Sequence, residues 1–335
     1  MVHSVVRLVA CVSIVAMGTV AHAQSVGSRA PEGSSNAGAS QPASPDQAAE
    51  ETGPARSENA PGSPEPSLLD RLYATLSQQE DPDGPISTDR PTFTPANTVV
   101  PPGRLQFESG FTFNSLKTAT TRSTLYGLPE LAMRYGLMNR VEFRAYWPGQ
   151  TWEQTQSRPG GPWRTGGGLS DMEVGFKWQL FAGDTKRKWI PTTALITSIT
   201  APTGGTSPFS SESVEAHVNL IYGWALTEKL TLAGSTGYEG LRQRPAAGSV
   251  ERTDSSERYH QSLVAFFSAT ARTTLFYEWY ILMSTNAADN RPTHFMDGGL
   301  LYRLTPNMQL DLRAGFGLSG RPDDFFTGVG FSVRF

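Results

Sequence analysis

From Gly103 to Phe335 the apolar residues fall on every second position, and no stretch carries the 3.6-residue period of an amphipathic helix. The clearest run sets Met172, Val174, Phe176, Trp178 and Leu180 against Asp171, Glu173, Lys177 and Gln179. Another sets Met308, Leu310, Leu312, Ala314, Phe316 and Leu318 against Gln309, Asp311 and Arg313. Twelve such runs follow one another, and where the phase is clear the apolar column holds no Asp, Glu, Lys or Arg. The fifth run, about Ile190–Ala201, has no charges and an ambiguous phase. Pro129 interrupts the second run, where it would delete a ladder hydrogen bond, and marks either a bulge or a strand end.

Alternation alone also fits a soluble β-sandwich. The connections separate the two. Tight turns at Met138-Asn139, Thr227-Glu228, Ala269-Thr270-Ala271 and Thr305-Pro306 alternate with longer polar links at Pro148–Ser170, Thr203–Glu212, Arg242–Ser256, Met283–Pro292 and Ser319–Asp323. Short turns at one end and loops at the other predict an all-β, 12-stranded antiparallel transmembrane β-barrel in the bacterial outer membrane, spanning residues 103–335. A mean hydropathy of −0.33 excludes helical membrane proteins but not this one, because alternating strands average out as hydrophilic. Outward aromatics near run ends, among them Tyr135, Trp147, Tyr222, Trp224, Tyr302 and Phe335, suit the two membrane interfaces.

The N-terminal third reads differently. Residues 1–23 combine Arg7, an apolar stretch from Leu8 to about Val20 and the small-x-small ending Ala21-His22-Ala23, which is the layout of a secretory signal peptide. The single cysteine, Cys11, leaves with it. Residues 24–66 hold no aromatic and, beyond Ala, only Val26 as an aliphatic residue, so they form a disordered Pro/Ser/Ala-rich leader, placed in the periplasm. Within 67–102, Leu68, Leu69, Leu72 and Leu76 predict a short helix over Ser67–Gln78, and the proline-rich Asp81–Pro102 predicts an extended periplasmic connector.

Ile86-Ser87-Thr88-Asp89-Arg90-Pro91 followed by Gly103-Arg104-Leu105-Gln106-Phe107-Glu108 resembles the start of the barrel domain in the MetA-pathway phenol-degradation family. Similar phrases recur at Tyr135–Glu142, Gly168–Lys177, Pro202–Gly204, Leu304–Asp311 and Asp323–Phe331, so the resemblance covers about Ile86 to Phe335. It implies an outer-membrane transporter barrel that passes small, in part aromatic, molecules, and it carries no catalytic residues.

The polar columns predict the lumen lining. From the first three runs come Arg104, Glu108, Glu130, Arg134, Glu142 and Arg144, and from the fourth Asp171, Glu173 and Lys177. The later runs add Glu215, His217, Glu239, Glu278, Asp297, Arg303, Asp311, Arg313 and Arg334. Such a lumen either admits small solutes, as a porin-like channel does, or is a structural barrel filled by charges that pair across strands. The Asp81–Pro102 connector as a plug, or the leader as a contact to periplasmic material, are further non-conducting forms. An outer-membrane lipid-modifying enzyme is the remaining reading. It needs a serine activated by histidine at the lipid boundary, and neither His217 with Asn219, nor His260 with Ser262, nor His294 shows that pattern in sequence. We therefore expect no enzyme and no cofactor or metal, because phosphate loops, dinucleotide fingerprints and metal-ligand spacings are missing from the sequence. Expected partners are outer-membrane lipids, a small-molecule solute and the machinery that assembles outer-membrane barrels, which would read the C-terminal strand ending at Phe335. With 28 Lys+Arg against 31 Asp+Glu, no nucleic acid is expected.

Overall fold

The computed structural model describes residues 83–117, 121–157, 160–183, 189–242, 255–285, 291–318 and 325–335. The expected signal peptide, leader and Ser67–Gln78 helix lie outside these residues. The alternating sequence forms fourteen strands and, among the described residues, no helix. They are β1 (Leu105–Lys117), β2 (Thr121–Met138), β3 (Val141–Trp147), β4 (Gln150–Ser157), β5 (Trp163–Leu169), β6 (Met172–Phe181) and β7 (Thr192–Ala201). After these come β8 (Glu215–Ala225), β9 (Leu230–Arg242), β10 (Ser255–Ser268), β11 (Thr273–Thr285), β12 (Thr293–Thr305), β13 (Met308–Gly317) and β14 (Phe325–Arg334).

All the strand pairs are antiparallel, and β1 pairs with both β2 and β14, which closes the sheet. The closed ring runs β1-β14-β13-β12-β11-β10-β9-β8-β7-β6-β3-β2, the twelve-stranded barrel that the alternation predicts. Closure leaves no exposed edge in the ring, which a lipid environment requires. Strands β4 and β5 form a hairpin that pairs with the first half of β2 and continues β3 and β6 beyond the ring. The Pro148–Ser170 segment is therefore not the irregular loop expected. Its strands carry polar residues on both faces (Gln150-Thr-Trp-Glu-Gln-Thr-Gln-Ser157), because they stand past the apolar band and need no lipid-facing column.

The Pro129 problem resolves as a bulge. On the β1 side the register passes from Gly110↔Glu130 to Thr112↔Gly127, so Leu128 and Pro129 together oppose Phe111. On the other side, β2 changes partner from β4 at Leu128↔Gln150 to β3 at Leu131↔Trp147. Pro129 thus sits where neither neighbour requires its missing N–H. Gly149, with φ 84°, turns the chain at this junction, where an added Cβ would come within 2.2 Å of the Pro129 carbonyl oxygen.

Side-chain phases follow the sequence. Leu310, Leu312, Phe316, Val329 and Phe331 face out, while Gln309, Asp311, Ser332 and Arg334 are buried inside. The fifth run acquires a phase: Ala194, Ile196 and Ser198 point inward and Ile199 outward. Tyr222, near the turn end of β8, is buried on the outer face, sharing hydrogen bonds with Thr236 and Gln261. Because the outer face meets lipid, a charge there is strongly position-dependent. Leu312→Arg, midway along β13, is expected to destabilise the barrel by about 2–4 kcal/mol, and Leu304→Arg, near the end of β12, by about 0–1 kcal/mol. Denaturant titration in lipid vesicles checks both.

Candidate functional site: a segment folded into the lumen

Residues 83–102, expected as a periplasmic connector, are extended but lie inside the barrel. Pro85, Pro91, Pro95, Pro101 and Pro102 lack backbone donors and deny this stretch a ladder of its own. A buried irregular segment must then find partners for its remaining N–H and C=O groups among side chains. The charged inner columns supply them. The Glu108 carboxylate accepts from the N–H groups of Asp89 (3.0 Å) and Arg90 (2.9 Å). Glu278 accepts from Phe93 N–H (2.7 Å), Thr94 N–H (2.8 Å) and the Thr94 hydroxyl (2.5 Å). Glu142 accepts from Val100 N–H at 2.7 Å. In the other sense, Arg134 donates to the Ser87 and Thr98 carbonyls, Lys177 to Ala96 O and Arg313 to Pro91 O.

The segment enters and leaves at the turn end of the barrel. Ile86 N–H bonds Pro306 O in the β12–β13 turn (2.7 Å), and Gly103 N–H bonds Gly136 O near the end of β2 (2.8 Å). Between these points it makes a hairpin, tied across by Ala96 N–H to Asp89 Oδ1 at 3.0 Å.

Two charged side chains fix its tip. Asp89 meets Lys177 Nζ at 2.9 Å, Arg134 Nη1 at 3.4 Å and Arg144. Burial opposes ionisation of Asp89, but these three cations outweigh it and hold its pKa well below the usual carboxylate range. Arg134 is shared with Glu108 and Glu142, both at 2.9 Å, so six charged groups from β1, β2, β3, β6 and the plug form one network. Arg90 reaches the other way, to Glu130 of β2, Asp311 of β13 and the Val329 carbonyl of β14. Burial opposes its charge, yet the neighbouring carboxylates of Asp311 and Glu130 raise its pKa. Arg90 therefore lies across the β1–β14 seam, against the register pair Gly110↔Gly330, neither of which has a side chain to obstruct it.

Above the tip remains a cavity of about 380 Å³ between the segment and the β6–β10 wall, bordered by Glu173, Ser198, His217, Asn219, Glu239 and His260. Phe93 closes one side, stacked on Tyr280 with centroids 4.3 Å apart, and Tyr280 stacks on Phe295 at 4.8 Å.

Residues 88–335 match one protein-family model. The chain belongs to the family described as "Putative MetA-pathway of phenol degradation". The match begins within the inserted segment, and the tip, Asp89 and Arg90 included, lies inside the matched range. No curated protein sequence matches the chain. Among solved structures it is similar to the β domain of the Bordetella autotransporter BrkA, with 13% identity over 70% of this chain and 100% of that one and a TM-score of 0.49. It is also similar to the translocator domain of NalP from Neisseria meningitidis (12%, 79% and 94%, TM-score 0.47) and to the CymD monoaromatic hydrocarbon channel (10%, 70% and 88%, TM-score 0.37).

Of the residues expected to line the lumen in this family member, Glu108, Arg134, Glu142, Lys177, Glu278 and Arg313 hold the inserted segment. Glu130, Arg144 and Asp311 pair with its tip, and Glu173, His217 and Glu239 border the cavity. Asp297 is buried beside Glu278, its partner in register. Arg334 bonds the Gly84 carbonyl and Asn307 at the turn end. Arg104, at the rim, pairs with Asp83 at 3.5 Å, and Arg303 donates to Ala271 O. Glu215 opens β8 at the loop end. Asp171 corrects the expectation. It lies between β5 and β6 and, instead of facing an open lumen, accepts from Gly204 N–H (2.9 Å) and Ser211 N–H (2.7 Å) of the β7–β8 loop. Burial raises its pKa, but these donors outweigh the effect and lower it. Sequence reading missed Asp89, Arg90, Phe93 and Thr94 as site residues. The doublet Asp89-Arg90 amid prolines, facing an inner wall rich in opposite charges, was the available signal.

Proposed function

We propose that this outer-membrane barrel is a gated channel for small solutes, aromatic compounds among them, and that residues 83–102 are its plug. The observation that carries the reading is the chemistry of the contact: apart from the Phe93–Tyr280 stack, the tip is held by ion pairs and hydrogen bonds to the lumen wall. A polar interface of this kind exchanges with water at modest net loss, whereas a buried apolar core would not. With the segment withdrawn, the wall it covers is the charged lumen of a channel. The family description and the Phe93–Tyr280–Phe295 stack support aromatic compounds as part of the solute range. In this reading the turn end faces the periplasm, which puts the leader there too, and the barrel performs no catalysis.

The same contacts favour a second reading, a permanently filled structural barrel. Conductance in planar bilayers separates the two. The full chain is expected to stay closed for most of the recording, and a variant lacking residues 83–102 to show a sustained open level. A deletion variant that still shifts on gels when boiled, and so is folded, yet passes no current would overturn the channel reading.

A further inference from the structure

The turn end of the barrel gathers one sign of charge. Five cations follow one another around its rim: Lys229 in the β8–β9 turn, Arg272 in the β10–β11 turn, Arg303 near the end of β12, Arg334 ending β14 and Arg104 preceding β1. Backbone bonds join their neighbourhoods in that order. Ser268 N–H bonds Lys229 O (2.8 Å), Arg303 N–H bonds Arg272 O (2.8 Å) and Arg334 N–H bonds Asn307 O (2.9 Å). Glu228 is the one carboxylate among the described residues of these turns. Lys229 and Arg272 are exposed, Arg303 is half-buried with its Nε unpartnered, and none of the three meets a carboxylate among the described residues. Like charges held on one rim repel one another, and an acidic partner relieves that repulsion.

Beside this rim opens a second cavity, of about 270 Å³, between the two arms of the plug hairpin. Pro85, Val99, Val100 and Pro101 give it an apolar wall, and Gly84 and Arg334 also border it. The chain arrives at the same place. Asp83 pairs with Arg104, Gly84 O accepts from Arg334 and Ile86 N–H bonds Pro306 O, so residues 83–86 run along the rim before turning into the lumen. What precedes Asp83 has the matching chemistry: Glu80 and Asp81 are acidic, and Leu68, Leu69, Leu72 and Leu76 make an apolar stripe at helical spacing. The reach suffices. Gly84 lies at Arg334, two strands or about 10 Å from Arg303, and the four residues back to Glu80 cover about 13 Å when extended.

We infer that residues 67–82 fold back over the turn-end mouth as a latch on the plug. Glu80 and Asp81 meet Arg272 and Arg303, and the leucine stripe enters the cavity beside Val99 and Val100. The latch covers the point where the plug enters the lumen, so docking of the two is linked. Its role in gating rests on the channel reading, whereas the contact itself does not.

Trypsin reads the contact directly, because Arg71 lies within the latch. The full chain in detergent is expected to be cut slowly at Arg71. The cut is expected to be about tenfold faster in Arg272→Gln/Arg303→Gln and in Glu80→Gln/Asp81→Asn, each of which removes the same exposed ion pairs. About 1 M salt, which shortens the screening length to about 3 Å, should act in the same direction. Joining the two double variants is expected to add nothing further, since both break one contact. Leu72→Ser/Leu76→Ser is expected to speed the cut as well, each variant being read in protein that still shifts on boiling. Wild-type cleavage at Arg71 in both folded charge variants would overturn the inference. If the arginine variant then bound phosphatidylglycerol vesicles more weakly, the rim would belong to lipid. Protection of Arg71 that is lost on dilution would give the rim to a second copy and overturn the inference too. If cleavage does not respond but the plug-deleted barrel conducts, only the inference fails. If it responds and that barrel does not conduct, the contact stands and the channel reading falls.

Discussion

Asp89→Ala is expected to convert a mostly closed barrel into one that opens for long periods. The side chain is only 13% exposed and faces Arg134, Arg144 and Lys177, so its loss leaves three cations with Glu108 and Glu142 as their remaining acids. It also removes the acceptor that ties the plug hairpin at Ala96 N–H. Removing one partner of a buried ion pair costs about 3–5 kcal/mol. Applied to docking of the plug, that moves the docked-to-undocked ratio by about two to four powers of ten. Water entering the lumen places the effect toward the lower end. Single-channel open probability is the readout, and band shift on boiling reports that the barrel itself is intact. An open probability equal to wild type in folded Asp89→Ala would show that the network does not hold the plug. The wild type offers a parallel check through pH. The pKa of Asp89 is lowered in the docked state, so its contribution is complete above the free carboxylate pKa of about 4 and declines as pH falls below it. Opening on acidification through that range, and not on raising the pH from neutral, is the expected sign.

The barrel was legible in the sequence because a lipid-facing wall imposes its pattern residue by residue. Each crossing of the ring had to place one column toward lipid, and charges such as Asp311 and Arg313 marked the other column. The phase of β7 was not legible, since Thr192–Ala201 offers no charge to mark the inner side. The β4–β5 hairpin escaped for a related reason: beyond the membrane both faces are wet, and the alternation that reveals strands disappears. The plug is a different case. Its prolines correctly announced an extended chain, but its location depends on pairs such as Arg90 with Asp311, 221 residues apart, which no local pattern encodes. The inner columns carried the complementary information. Acids such as Glu108, Glu142 and Glu278 are nearly wholly buried in a lumen that the sequence left as either solvated or filled, and the backbone N–H groups they accept from belong to the plug.

Gly110→Val is expected to unseat the plug without loosening the wall. Gly110 of β1 and Gly330 of β14 face each other in register across the closing seam, and Arg90 fills the space their missing side chains leave. A Cβ at position 110 would lie 2.2 Å from Arg90 Cζ, a separation no pair of atoms tolerates, and its three nearest neighbours all belong to that guanidinium. Arg90 can yield only by abandoning Glu130 and Asp311, which leaves two buried carboxylates unpaired at a cost of about 3 kcal/mol or more. Gly299 provides the contrast. There the added Cβ would meet the Leu312 carbonyl oxygen of the neighbouring strand at 1.9 Å, so Gly299→Val is expected to weaken the barrel itself. The two substitutions should therefore separate in measurement, with Gly110→Val raising open probability at unchanged resistance to denaturant and Gly299→Val lowering that resistance. A thermodynamic cycle isolates the cause. In an Arg90→Ala background the steric conflict is gone, and Gly110→Val should then change open probability no further. An effect of equal size in both backgrounds would place the action of Gly110 in the seam between β1 and β14 and not in the plug.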